Sequence, residues 1–203
     1  MNEDLADRGL VLGEDGRTRP AWASGDQLHR DYFDYEWGKP VRTEAGIYER
    51  LCLEGFQSGL SWATVLRKRP AFREVFADFN PDIVAGFGDD DFQRLLSDAR
   101  IIRNRLKIGA AINNARATVA LRKEGGLVDF IWGFAPAEQT RPASMADTQA
   151  TSPESKAMAK ALKKTGFTFV GPTTCYALMQ AIGLVDDRPV GASPLRTPGV
   201  PEK

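Results

Sequence analysis

Apolar residues recur along this chain at helical spacing, in short runs that each begin at a capping residue. Ile47, Tyr48 and Leu51 fall on one face after Thr43, and Trp62, Val65 and Leu66 repeat the pattern after Ser61, a run expected to stop at Pro70. Asn80 before Pro81 opens a short helix through Ala85, and Asp89 or Asp90 caps another over residues 92–97. A longer stretch, about residues 103–123, carries Leu106, Ala110, Ile112, Ala117 and Leu121, and residues 127–134 add an apolar turn or two. After a Pro-, Ala- and Thr-rich connection over 135–151, Ser152-Pro153-Glu154 starts a helix closed by Gly166, and residues 172–182 form a buried helix closed by Gly183. Residues 26–38, dense in aromatics, read as a short helix followed by a Trp-Gly-Lys-Pro break. Only residues 167–170 hint at the alternation of a strand. The fold class is therefore all-α. Residues 1–18 read as a flexible polar tail, 19–187 as one domain, and 188–203 as a Pro-rich C-terminal tail.

Composition narrows the function classes. At 203 residues, 42% hydrophobic and 27% charged, the chain has the size and balance of one globular domain. No apolar run approaches the ~20 residues a membrane span needs. The N-terminus is acidic and lacks a hydrophobic signal core, so a cytoplasmic protein is expected. Cys52 and Cys175 sit in apolar contexts without metal-type spacing and read as buried thiols. Net charge is zero, yet residues 99–123 hold seven basic residues and no acidic one. Such a stripe suits contact with phosphate at one place, although a solvated helix face gives the same count.

The stretch from Leu51 to Trp62 sets one carboxylate, Glu54, among apolar and small residues. An unpaired charge costs several kcal/mol to bury, so Glu54 asks for a polar or cationic partner. Gly55 and Gly59 each cost a helix roughly 1 kcal/mol, which suggests close approach to the backbone. An ordinary helix–turn–helix corner with a surface carboxylate has the same pattern. Further on, residues 98–107 read Asp-Ala-Arg-Ile-Ile-Arg-Asn-Arg-Leu-Lys. Two helices joined there by a tight apolar hairpin would offer backbone N–H groups and a positive helix end to phosphate, with arginines beside them. A plain αα-corner is the alternative.

Together these stretches resemble constitutive 3-methyladenine DNA glycosylase type I, of the helix–hairpin–helix glycosylase superfamily. The likeness lies in Tyr32 to Gly38, Leu51 to Trp62, Ile101 to Arg105 with Asn114-Ala-Arg116, and Lys163 to Gly171 through Cys175-Tyr176 and Met179-Gln180, in the family's order and spacing from about Trp22 to Gly191. It implies a two-lobed helical fold and excision of 3-methyladenine from alkylated double-stranded DNA, with free 3-methyladenine as product, by a monomer with no membrane partner. It also implies a base flipped into a pocket between the lobes. Glu54 matches the catalytic carboxylate that accepts hydrogen bonds from the adenine edge; Trp62 matches the stacking platform, Tyr32 a pocket hydroxyl and Trp37 a pocket wall. Gly59 and Leu60 would fill the gap left in the duplex, with Gln57 near them. Arg100, Arg103, Arg105 and Lys107 would hold DNA at the hairpin. The chemistry suits the ligand, because 3-methyladenine is cationic while joined to deoxyribose: aromatic faces attract it and one anion complements it. No lysine is placed as a Schiff-base nucleophile and no four-cysteine cluster signature is present, so a monofunctional enzyme is expected.

Two departures stand out. The family usually carries a zinc site tying its termini, but the matching positions here are Pro20, Phe33, Arg188 and Ala192, and the sole histidine, His29, has no second ligand near it. Zinc is expected to be absent, with apolar packing of Phe33 and Pro20 in its place. Arg100 stands where the family favours glycine; if that position needs a positive φ, arginine is strained by about 1 kcal/mol but adds charge toward phosphate. A lesion-binding helix–hairpin–helix protein without catalysis is the alternative function, and an all-α scaffold unrelated to DNA would leave four ordered motifs to chance.

Overall fold

Residues 2–7 coil into a helix, α1 (Asn2–Asp7), and a two-stranded antiparallel ribbon follows where the sequence reads as a loose tail: β1 (Leu10–Leu12) pairs with β2 (Thr18–Pro20), Leu10 opposite Pro20. This computed structural model describes residues 2–197, which divide into two units, the first from residues 2–40, 136–150 and 179–197, the second from 41–135 and 151–178. Residues 2–18 and 188–197, expected as tails of a two-lobed domain over 19–187, belong to the first unit. Their polar residues are internal partners. Arg19 bonds Asp34 twice, at 3.0 and 2.6 Å, with all of these groups buried, and Arg17 pairs with the same carboxylate at 3.1 Å.

The rest of the first unit follows from that cluster. After α2 (Ala21–Ser24) comes α3 (Gln27–Tyr35), whose cap Asp26 accepts from the His29 amide. The C-terminal segment is irregular up to residue 197, as expected, yet it is fastened: the Thr18 amide donates to Ser193 Oγ at 2.9 Å, the Ser193 amide to Thr18 O at 2.8 Å, and the Arg196 amide to Asp34 O at 2.7 Å. The remainder of the Pro-rich tail, residues 198–203, lies outside the described residues. Gly183 has φ +68, and a Cβ there would meet Gly38 O at 2.5 Å, so close approach as well as backbone conformation excludes a side chain.

The second unit is all helix. α4 (Glu44–Gln57) buries Ile47, Tyr48, Leu51, Leu53 and Phe56, and α5 (Trp62–Val75) packs against it. Pro70 does not end α5, contrary to expectation. It forfeits one backbone hydrogen bond, but Phe72 and Val75 beyond it are buried, and burying such side chains contributes about 1.5–3 kcal/mol each. Residues 77–79 then turn in the left-handed region, anchored by the buried Phe79 ring stacked on Phe76 at 5.4 Å. α6 (Pro81–Ala85), α7 (Asp89–Ser97), α8 (Arg105–Leu121) and α9 (Gly126–Trp132) come next, and α8 packs on α4, α6, α7 and α9. Ser152 caps α10 (Pro153–Lys164), and α11 (Pro172–Ala181) follows. Residues 167–170 are not a strand. Among the described residues the fold is all-α but for β1 and β2.

Candidate active site

The end of α4 gives the site its shape. Ser58 (φ −47°, ψ 116°) and Gly59 (φ +76°) are the central pair of a type II turn, closed by the Leu60 amide donating to Gln57 O at 2.7 Å. The third position of such a turn requires a positive φ, which is why glycine stands at 59. Leu60 is left at the exposed corner, and Ser61 accepts from the Thr64 amide to start α5, with Trp62 its first residue. Glu54, Gln57, Gly59, Leu60 and Trp62 are thereby gathered on one helix–turn–helix segment.

Glu54 is the anomaly of that segment. Its side chain is buried, only 7% exposed, and among the described residues it has no hydrogen-bond or ion-pair partner. Burial pushes its carboxyl up to about 8. The neighbouring Gly55 leaves open space where a Cβ would stand. A carboxyl held in this way has the chemistry to pair with a cation or to bond a donor-rich ring, either of which would restore what solvation supplied.

Lys107 does not behave as a DNA contact. It is buried, and its Nζ donates to Phe56 O at 2.8 Å and to Ser58 O, so it braces the end of α4 and the turn that carries Leu60. The reason is position: the first turn of α8 packs its third residue inward. Arg100 is likewise engaged, gripped by both oxygens of Asp98 and of Glu74. It is not among the residues with positive φ, so the strain that glycine would have avoided does not arise. Asn104 caps α8 by accepting from the Leu106 and Lys107 amides, which removes two of the N–H groups the hairpin was expected to offer to phosphate. Arg103 and Arg105 remain exposed, Arg105 lying over the Phe92 ring at 5.2 Å.

Phe169 lies within the Lys163–Gly171 motif but carries no expected role of its own. It is 39% exposed with φ +60, a conformation costly for an aromatic residue, and the Asn114 side chain fixes it by bonding both backbone groups of Thr168, at 2.8 and 3.0 Å. The ring lines a narrow cleft with Gly55, Lys107 and Asn114. A signal lay in the paired Asn113-Asn114 of α8 and in the Phe-Thr-Phe run of the motif itself.

Tyr32 and Trp37 belong to the first unit. Tyr32 is buried on α3; Trp37 stacks on Phe33 at 5.8 Å and meets Trp22 edge-on at 5.6 Å. The packing around Phe33 is not apolar alone. The guanidinium of Arg188 lies 4.0 Å over the Phe33 ring and donates to Phe33 O, to Trp37 O at 3.1 Å and to Ser193 O at 2.8 Å. A zinc ion does not fit this donor set, in which a buried cation already holds the carbonyls. Among the described residues no three His, Cys, Asp or Glu gather in a metal-binding group, and His29 Nδ1 is engaged by Asp26 at 2.8 Å. No helix among them is long and apolar enough to cross a membrane.

Comparison with known proteins agrees with this geometry. The family model described as methyladenine glycosylase matches residues 22–194. The chain is 46% identical over 176 residues to DNA-3-methyladenine glycosylase 1 of Escherichia coli (strain K12), a match covering 85% of this chain and 94% of that one. A crystal structure of 3-methyladenine DNA glycosylase I superposes with TM-score 0.81 at 46% identity, covering 85% of this chain and 96% of the other. A structure concerned with 3-methyladenine recognition by the Staphylococcus aureus 3-methyladenine DNA glycosylase I has TM-score 0.80 at 28% identity, covering 90% and 96%.

Proposed function

Because this chain belongs to the methyladenine glycosylase family, we propose that it hydrolyses the N-glycosidic bond of 3-methyladenine in alkylated duplex DNA, as a cytoplasmic monomer that leaves the strand uncut. The observation that carries the reading is Glu54, a buried carboxyl without a partner, on the same segment as Trp62. A 3-methyladenine still joined to deoxyribose is a cation, and its arrival draws the carboxyl to its ionised form and attracts an aromatic face. The damaged base is thus selected by charge, since an intact, neutral adenine would leave the carboxyl protonated and form no ion pair with it.

The same charge makes the base a good leaving group. The C1′–N9 bond breaks with its electron pair going to the base, which departs neutral, while water adds at C1′ and loses a proton. Little general-acid help is needed; holding the flipped base and the developing charge on the sugar does most of the work. Leu60, at the exposed corner of the type II turn, is proposed to fill the space the base leaves, with Gln57 beside it, and Arg103 and Arg105 to hold phosphates. Tyr32 and Trp37 are assigned to the base on the resemblance alone. Chromatography of the bases released from methylated duplex DNA tests the reading: free 3-methyladenine is expected, whereas binding to abasic DNA without release would make this a lesion-binding protein.

A further inference from the structure

Lys68, on α5, reaches across to the turn that joins α7 to α8. Its Nζ donates to the carbonyl oxygens of Ala99, at 3.1 Å, and Arg100, at 2.8 Å. An ammonium has three donors; no third acceptor for this one stands among the described residues, and Lys68 is half-buried where Lys107, with the same two-carbonyl pattern, is buried, so its third donor is open to a ligand. The turn by itself would be poor at receiving an anion. Arg100 is neutralised by Asp98 and Glu74, so an approaching phosphate would meet two carbonyl dipoles and two carboxylates. Lys68 brings the side-chain charges of this cluster to zero and presents an N–H donor where the turn otherwise offers only carbonyls and carboxylates. The carbonyls hold the end of a long flexible side chain in place before any ligand arrives, so the rotamer entropy such a side chain loses on ordering, up to about 2 kcal/mol, is already spent.

We propose that Lys68 is a DNA-phosphate contact of this turn, in the role the basic stripe suggested for Arg100; this rests on the glycosylase reading above. Arg103 and Arg105, exposed on the same connection, would extend the grip along the strand.

The test compares wild type, Lys68→Met and Lys68→Arg for binding to a short duplex carrying a stable abasic-site analogue, across a salt series. Lys68→Met is expected to weaken binding roughly tenfold near ~0.1 M salt and to lower the slope of log affinity against log salt by about 0.9, the amount for one lost phosphate contact. Lys68→Arg should keep the wild-type slope. Both variants should bind free 3-methyladenine as wild type does, which shows that they are folded. Weaker binding of Lys68→Met at an unchanged slope would mean that Lys68 merely braces the turn, and an equal loss of slope in Lys68→Arg would show that its charge is not what matters; either overturns the inference. If wild type itself shows no salt-dependent binding to the duplex, the glycosylase reading falls and not this contact alone.

Discussion

The ammonium of Lys107 donates to the carbonyl oxygen of Phe56 at 2.8 Å, two residues beyond Glu54. Through Ser58 O it also holds the turn whose corner is Leu60. One buried cation therefore fixes the C-terminal end of the helix that carries the carboxyl and the start of the turn that carries the wedge. Positive charge is favoured at that end by the helix dipole.

Lys107→Met should separate bracing from phosphate contact. It strands two carbonyls, at a cost of about 1–3 kcal/mol in stability, and lowers affinity for abasic duplex without changing its salt dependence. Arg103→Ala and Arg105→Ala should do the reverse, each lowering the salt slope by about 0.9 with little change in melting temperature. A slope loss in Lys107→Met equal to that of the arginine variants would show that its ammonium reaches phosphate.

The same bonds bear on strand cutting. Burial lowers the pKa of Lys107, as a Schiff-base nucleophile would require, but its amine is committed to two carbonyls. Purified protein should leave abasic strands intact until alkali is added, and borohydride should trap no covalent protein–DNA adduct. A trapped adduct lost in Lys107→Met would make the enzyme bifunctional.

Glu54 gives a pH signature of known sign. Its folded pKa, about 8, lies above the ordinary 4.5, so the folded protein binds this proton more tightly than the unfolded chain does. Its effect on stability is nil below about pH 4.5, and stability is lost progressively as pH rises to about 8. Glu54→Gln should melt with wild type near pH ~4.5 and be more stable by on the order of 1–4 kcal/mol near pH ~8.5. The variant should also lose affinity for free 3-methyladenine more than for abasic duplex. Parallel melting curves at both pH values would mean that the carboxyl has a partner or is solvated.

Arg188 should tie the terminal segments together without zinc. Elemental analysis is expected to find well under one zinc per chain, and chelator to leave the melting temperature unchanged. Arg188→Met, which leaves Phe33 O, Trp37 O and Ser193 O without this donor, should cost about 2–4 kcal/mol. Stoichiometric zinc, or a large destabilisation by chelator, would contradict this account of the termini.

The helices of the second unit were legible because their signals are local: Asn80 before Pro81, Ser152 before Pro153 and Ser61 before Trp62 each cap within a few residues. The motif of Glu54, Gly59, Leu60 and Trp62 was legible for the same reason, since a type II turn needs its glycine at a fixed place. Pro70 misled because the rule that proline stops a helix ignores what Phe72 and Val75 gain by burial further on.

What the sequence by itself determined was the helical class, the family and the segment that presents the carboxyl, all set by spacing along the chain. Tertiary structure alone decided what each charge does. Arg19 and Asp34 lie 15 positions apart, Lys68 and Arg100 lie 32 apart, Lys107 and Phe56 lie 51 apart, and Arg188 and Phe33 lie 155 apart. A charged side chain becomes a brace, an anchor or a free contact according to which carbonyl or carboxylate the folded chain brings within about 3 Å of it, and hydrogen-bond strength falls off too steeply with distance for sequence spacing to foretell that.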